Sequence, residues 1–226
     1  MDTPEIPAAL ESELEEQALG VLARHDASPE QIEHIANDRR IATNHKVRLA
    51  LMQHAKTPRH ISLALARKLY ALELTEVALS LKTPPPVKHA VEEELIRRLE
   101  GISEGERTTL ARRASGAVAC ALLADKESRI AAIALDNGRL TEALVVKALR
   151  RDGVSQSLIE LISRHPKWSR MQQVMIALMR HPATPLARIV EFAKRLPRPL
   201  LRELMRTTRF NENVRRYLEK IISGQA

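Results

Sequence analysis

Ala50-Leu51-Met52-Gln53-His54-Ala55-Lys56-Thr57-Pro58 returns as Ala177-Leu178-Met179-Arg180-His181-Pro182-Ala183-Thr184-Pro185, identical at six of nine positions across 127 residues. The shared residues describe a joint between two helices. Ala-Leu-x-x-His reads as the last turn of one helix, where an imidazole meets exposed carbonyls and the negative end of the dipole. Thr-Pro reads as the start of the next, with Thr as N-cap and Pro at the first helical position, where its missing N–H costs nothing. A third copy, His25-Asp26-Ala27-Ser28-Pro29, is followed by Gln31, so that Ser28 and Gln31 form a capping box.

A weaker copy, Ala134-Leu135-Asp136-Asn137-Gly138-Arg139-Leu140-Thr141, keeps Ala, Leu and Thr and loses both His and Pro. Its Ala stands 84 residues after Ala50 and 43 before Ala177. One or two units of 42–43 residues account for these intervals, inside the roughly 40–47-residue period of HEAT and armadillo units. Near residue 92 there is no clean copy, and Lys82-Thr83-Pro84-Pro85-Pro86 offers a helix start at a shifted register.

The His-Pro-x-Thr-Pro joint, preceded by Val-x-x-Ala-Leu, resembles the leucine-rich repeat variant and, more broadly, HEAT-like α-solenoids. The likeness covers Val47–Lys68 and Val174–Arg195 well, and His25–Ala36 and Arg129–Leu149 loosely. The resemblance implies an all-α, right-handed solenoid, a HEAT/armadillo-like superhelix used as an interaction scaffold. A member of the variant family carries an iron–sulfur cluster on several Cys residues. With Cys120 alone, this chain carries over no cluster, and no cofactor is expected.

Composition agrees with stacked short helices. Leu, Ala, Arg and Glu dominate, no Gly/Ser linker interrupts the chain, and nothing forces its 226 residues into more than one domain. Apolar residues recur at helical spacing, as in Ile61, Leu65, Leu69 and Leu72 or Leu186, Ile189, Val190, Ala193 and Leu196. About thirteen short helices are expected between Ala8 and Ile222, within a single solenoid domain over 1–226. Helices this short need neighbours to bury their apolar faces. No stretch approaches the roughly 20 apolar residues of a membrane span. The opening Met1-Asp2-Thr3-Pro4-Glu5 is acidic and does not read as a secretory or transit signal. One cysteine, in the small apolar run Ala117–Ala124, suits a buried structural thiol and a cytoplasmic location.

Charge is uneven. Residues 138–226 hold eighteen Lys plus Arg against seven Asp plus Glu, while residues 1–137 hold eighteen against twenty-one. An acidic-to-neutral front is therefore joined to a strongly basic back, which points to an acidic protein surface or a polyanion as partner. Arg198, Arg202, Arg206 and Arg209, at spacings of four, four and three, fall within about 80° on a helix. Leu200, Leu201, Leu204 and Met205 are expected to face the core. Arg188, Lys194 and Arg195 ahead, and Arg215 and Arg216 beyond, extend the stripe. Read blandly, this is an ordinary polar face, partly neutralised by pairs such as Glu191–Arg195.

Arg164-His165-Pro166-Lys167-Trp168-Ser169-Arg170 holds the only Trp. Flanked by Lys167 and Arg170, Trp168 has the chemistry to stack on a base or anchor a partner peptide. As a helix-start residue it equally folds over a neighbouring unit, and the structural reading is preferred. His25, His54 and His181 hold equivalent repeat positions, so they are placed in different units and no metal site is expected; His60 adds no third ligand beside His54. Asp125, Asp136 and Asp152 sit next to helix starts, where capping accounts for them.

No phosphate loop, nucleophile elbow or kinase signature is present. Three functions fit to different degrees. The first is a non-enzymatic scaffold binding an acidic protein through the basic C-terminal half, with no small-molecule substrate. The second is sequence-nonspecific nucleic-acid binding through phosphate contacts. The third, a HEAT-like DNA alkylation-repair glycosylase, needs aromatics lining a cleft, whereas Tyr70, Trp168, Phe192, Phe210 and Tyr217 are scattered.

Overall fold

The repeated joint builds this protein, with one exchange of roles. The computed structural model describes residues 8–24, 26–38 and 40–224, with the side chains of 8–11 left aside. The Met1–Glu5 segment and His25 lie outside those residues. The described residues form fifteen α-helices, two 3-10 turns and no strand, against about thirteen helices expected. They fall into two compact units, one ending at Val118 and the other starting at Ala119. The first holds α1 (Ala8–Leu22), α2 (Pro29–Asn37), α3 (His45–Gln53), α4 (Arg59–Ala66), α5 (Ala71–Leu79), α6 (Pro85–Arg98) and α7 (Glu104–Arg113). The division falls within α8 (Gly116–Leu122). The second holds α9 (Ser128–Leu135), α10 (Glu142–Leu149), α11 (Gln156–Arg164), α12 (Gln172–Arg180), α13 (Leu186–Arg195), α14 (Arg198–Thr207) and α15 (Glu212–Ser223).

The helices are short because the joints that end them need no glycine. His54, Ser80, Ala114, His165, His181, Leu196 and Thr208 are C-caps in extended conformation. Among the described residues, only Gly153 and Gly224 take positive φ. Breaks at residues such as Ala114-Ser115 are thus silent to a search for Gly and Pro. Ser115 accepts there from the Val118 amide and opens α8.

In the two strong copies Thr is not the N-cap. Pro58 and Pro185 occupy that position, at φ −56 and −59, and their carbonyls accept the first intrahelical bonds. The preceding Thr57 and Thr184 are buried and donate instead to the Leu51 and Leu178 carbonyls, at 2.5 and 2.6 Å. Proline drives the residue before it away from helical angles. Thr is left outside the new helix, where its hydroxyl serves an orphan carbonyl of the old one. Where Pro is missing, Thr141 is the N-cap and accepts from the Leu144 amide. The Ser28–Gln31 capping box forms as expected. Another joins Ser103 to Glu106, and the Ser103 hydroxyl and amide hold the Glu106 carboxyl below its ordinary pKa.

Thr57→Val and Thr184→Val keep shape and remove only the hydroxyl. Each receiving carbonyl keeps a bond from the following His amide. Each change is therefore expected to cost about 1 kcal/mol in denaturant titrations. No loss in either variant would show that the joint does not depend on threonine.

Within each unit, helices pack on the one two along as well as on the next. In the first, α1, α3, α5 and α7 follow one another in contact, and α4 meets α6; in the second, α9 meets α11, α10 meets α12 and α13 meets α15. Side-chain hydrogen bonds repeat the interval. His54 Nδ1 accepts from the Lys56 amide, which leaves Nε2–H to donate to the Arg24 carbonyl, 30 residues back. His165 likewise accepts from Lys167 and donates to Asp136, 29 residues back. Arg98 reaches the Ala66 and Leu69 carbonyls, and Arg151 the Cys120 carbonyl, across 29–32 residues. The 43 residues from Ala134 in α9 to Ala177 in α12 accordingly make a step of three helices. Asp136, expected near a helix start, is instead the C-cap of α9.

Core prediction holds helix by helix and fails across joints. Ile61, Leu65 and Leu69 are buried, but Leu72 is 53% exposed because Tyr70 starts a new helix with its own phase. Leu186, ahead of Ile189 in α13, is 47% exposed.

A candidate basic interface in the second unit

Helix α14 carries Arg198, Arg202 and Arg206 on its solvent side, all exposed, over buried Leu201 and Leu204 and half-buried Leu200 and Met205. The guanidiniums of Arg202 and Arg206 meet no partner among the described residues; Glu203, between them, is exposed. Arg198 lies against the C-terminal end of α15, where a Cβ on Gly224 would stand 3.4 Å from its guanidinium. Gly224 has φ +81 and ends the helix in the left-handed conformation, leaving carbonyls that suit a cation. Arg209 does not continue the stripe. The helix ends at Thr207, so Arg209 sits, exposed, in the turn before α15.

On α13, Arg188 and Arg195 share the Glu191 carboxylate, at 2.6 and 3.0 Å, and Lys194 is exposed. Two cations on one acid leave a net positive charge there. The Arg-stripe extension toward α15 is more compensated, since Arg215 contacts Glu219 at 3.4 Å.

Trp168 is fully buried. Its Nε1–H donates to the Leu135 carbonyl at 2.8 Å, tying a 3-10 turn (Trp168–Arg170) to the end of α9. Lys167 lies over the ring at 4.0 Å from its centroid, on the outer side, and Arg170 is exposed. The ring is thus part of the core, unavailable to a base or a peptide, while its two basic neighbours remain at the surface.

No family model, curated protein or solved structure matches the chain. What the surface can do follows from its donors. Exposed guanidiniums that are not held in an ion pair can bind carboxylates or phosphates, bidentately where geometry allows.

Sequence reading left out Arg150 and Arg180, both exposed, at the C-cap of α10 and the last position of α12. Their signal was positional, since each immediately closes a helix and the two stand 30 residues apart. Cys120 is buried, with its Sγ on the Leu144 carbonyl at 3.2 Å. Burial pushes its thiol pKa up, against the opposing pull of Arg151 and Lys147. Among the described residues no cluster of three or more His, Cys, Asp or Glu forms a metal site, and no helix is long and apolar enough to cross a membrane.

Proposed function

We propose that the protein is a non-enzymatic, cytoplasmic helical-repeat scaffold of the HEAT/armadillo-like, right-handed α-solenoid class. It binds an acidic protein partner through the basic face of its C-terminal half. The observation that carries this reading is the pair of exposed, unpartnered guanidiniums of Arg202 and Arg206 on α14, flanked by Lys194 and Arg198. The two-helix interval of the side-chain ties supports the repeat architecture within each unit. Four grooves among the described residues are small, about 190–280 Å³ each. Small-molecule pockets are typically about 300–1,000 Å³, so these favour contact with a surface or a chain.

The same guanidiniums suit phosphates, and that keeps sequence-nonspecific nucleic-acid binding as the second reading. One experiment separates the two. Affinity capture from native lysate, repeated with Arg198→Ala/Arg202→Ala/Arg206→Ala, is expected to lose an acidic protein that survives nuclease treatment. An unchanged set of captured proteins overturns the proposal. Duplex DNA binding that falls steeply with salt, about one power of salt per phosphate contact, together with no protein captured, replaces it with the second reading.

A further inference from the structure

Three joints of this protein hold a histidine in the same way. His54, His165 and His181 are the C-caps of α3, α11 and α12, at φ −76, −67 and −82 and ψ 127, 129 and 127. In each, ring Nδ1 accepts from the amide two residues on, at 3.2 Å. Backbone and bond together fix the ring and leave the proton on Nε2. His54 donates that N–H to the Arg24 carbonyl, just past α1, and His165 donates it to the Asp136 carboxylate at the C-cap of α9. Both acceptors stand at the end of the helix two back, which packs on the histidine's own helix. For His181 the helix two back is α10, which packs on α12. There the N–H meets no acceptor among the described residues.

One residue makes the difference. The C-cap of α10 is Arg150, with nearly the backbone angles of Asp136: φ −92 and ψ −1, against −85 and −2. A cation therefore stands where the joint between α9 and α11 places its carboxylate. Between the ends of α10 and α12 lies a groove of about 190 Å³, whose lining includes Leu149, Arg150, Gln173, Ile176, Arg180 and His181 and no acid. Asp152, two residues past Arg150, is exposed and outside the lining, and Glu142 is engaged by the Gln173 amide at 2.9 Å. Arg150 and Arg180 are exposed, and their guanidiniums meet no partner among the described residues. Two other grooves balance their charge: Glu160 and Glu191 accompany Arg164 and Arg188 in one, and Glu93 and Glu94 accompany Arg67 and Arg97 in the other.

We infer that the groove between α10 and α12 receives one carboxylate of the acidic partner, in the place that Asp136 fills at the joint between α9 and α11. The molecule supplies its own template for the contact, since His165 Nε2 stands 3.1 Å from the Asp136 carboxylate. At the groove the incoming carboxylate accepts the His181 N–H, and its charge is met by Arg150 and Arg180 through charge-assisted hydrogen bonds. Buried Leu149 and Ile176 give the groove an apolar wall, which strengthens such a contact by holding water back. A carboxylate is favoured over a phosphate because it is the group that the same ring, held in the same way, already binds. The inference rests on the acidic-partner reading and names one contact by which that partner is held.

The test follows the histidine ring nitrogens of the full chain by heteronuclear NMR at low salt, with His181→Asn identifying the His181 signals. The probes are acetyl-Ala-Glu-Ala-amide, its Gln counterpart and inorganic phosphate. The Glu peptide is expected to shift His181 Nε2 saturably at about millimolar concentration, and the Gln peptide to bind at least about tenfold more weakly. Arg150→Ala and Arg180→Ala are each expected to weaken the Glu peptide about two- to fivefold. Arg150→Asp returns the carboxylate to the chain itself. Its His181 signal is expected to stand, without peptide, close to where saturating peptide brings the wild type, and its affinity for the peptide to fall at least about tenfold. Unchanged thermal melts would show these surface variants folded. A His181 signal unmoved by the Glu peptide, or moved equally by the Gln peptide, overturns the inference. So does an Arg150→Asp variant that titrates as the wild type does, or a shift produced by phosphate and not by the Glu peptide. Capture from lysate separates the inference from the reading beneath it. If Arg150→Asp keeps an acidic partner that Arg198→Ala/Arg202→Ala/Arg206→Ala loses, the inference falls and the acidic-partner reading stands. If the Glu peptide titrates His181 and no acidic protein is captured, the carboxylate site stands and that reading falls.

Discussion

Trp168→Ala is expected to destabilise the second unit by about 3–5 kcal/mol, the largest single-residue effect foreseen here. The ring has no exposed surface, so truncation leaves a cavity that the short surrounding helices can only partly close. The lost Nε1–H also strands the Leu135 carbonyl, one of the unpaired groups at the end of α9. Lys167 loses the ring beneath its ammonium, a smaller contribution because that contact is at the surface. Trp168→Phe separates these effects. It keeps most of the apolar volume and loses the hydrogen bond, and should fall between wild type and the Ala variant. Because the chain has a single Trp, the variants are followed by circular dichroism under urea. A midpoint for Trp168→Ala close to that of the wild type would refute the account of this joint.

The second large effect lies in the first unit. Arg98→Ala is expected to cost about 2–4 kcal/mol, below the roughly 3–5 for breaking a fully buried pair because the Arg98 side chain is 26% exposed. Arg98 Nε donates to Glu94 at 2.5 Å, while its two terminal nitrogens donate to the Leu69 and Ala66 carbonyls at 2.7 and 3.0 Å. One planar fork thereby satisfies a buried carboxylate and two carbonyls at the end of α4. Without it Glu94 keeps only Arg97, which is mostly exposed. Arg98→Lys retains the charge but cannot span three acceptors in fixed directions, so an intermediate loss is expected. Glu94→Leu combined with Arg98→Met should recover part of the deficit, since no charge is then left unpaired. The Leu69 carbonyl then lacks a donor and the Ala66 carbonyl keeps only the Leu69 amide at 3.4 Å, so recovery is incomplete. A double variant no better than Arg98→Ala would mean that the carbonyls, and not the carboxylate, dominate the loss.

These cases mark what could be read from residues alone. Helix identity was legible because Ala-Leu-x-x-His and Thr-Pro are local signals and the helices obey local rules. The Ser28–Gln31 box needed nothing beyond four consecutive positions. Helix number was underestimated because residues such as Ala114, Ser80 and Leu196 end helices in extended conformation, which no propensity distinguishes from continuation. The role of Thr57 and Thr184 was misassigned for a subtler reason. Both N-cap and hydroxyl-to-carbonyl roles use the same oxygen, and only the position of proline decides between them.

The candidate surface was partly legible for the same physical reason. Arg198, Arg202 and Arg206 share a helix, so spacing alone puts them on one face. Arg209 shared the spacing but not the helix, which stops at Thr207. Arg150 and Arg180 are brought into relation by packing between helices two apart, and a 30-residue interval leaves no trace in a window of one helix. Trp168 is the converse: a basic neighbourhood in sequence surrounds a ring that the fold turns inward to close α9.

The side-chain ties of His54, His165, Trp168 and Arg98 reach back 29–33 residues. A growing chain can therefore complete each joint soon after it clears the ribosome, within about 2–7 seconds at synthesis rates of roughly 5–20 residues per second. Nascent helices wait briefly for a neighbour, and no strand pairing has to be deferred until the far end arrives.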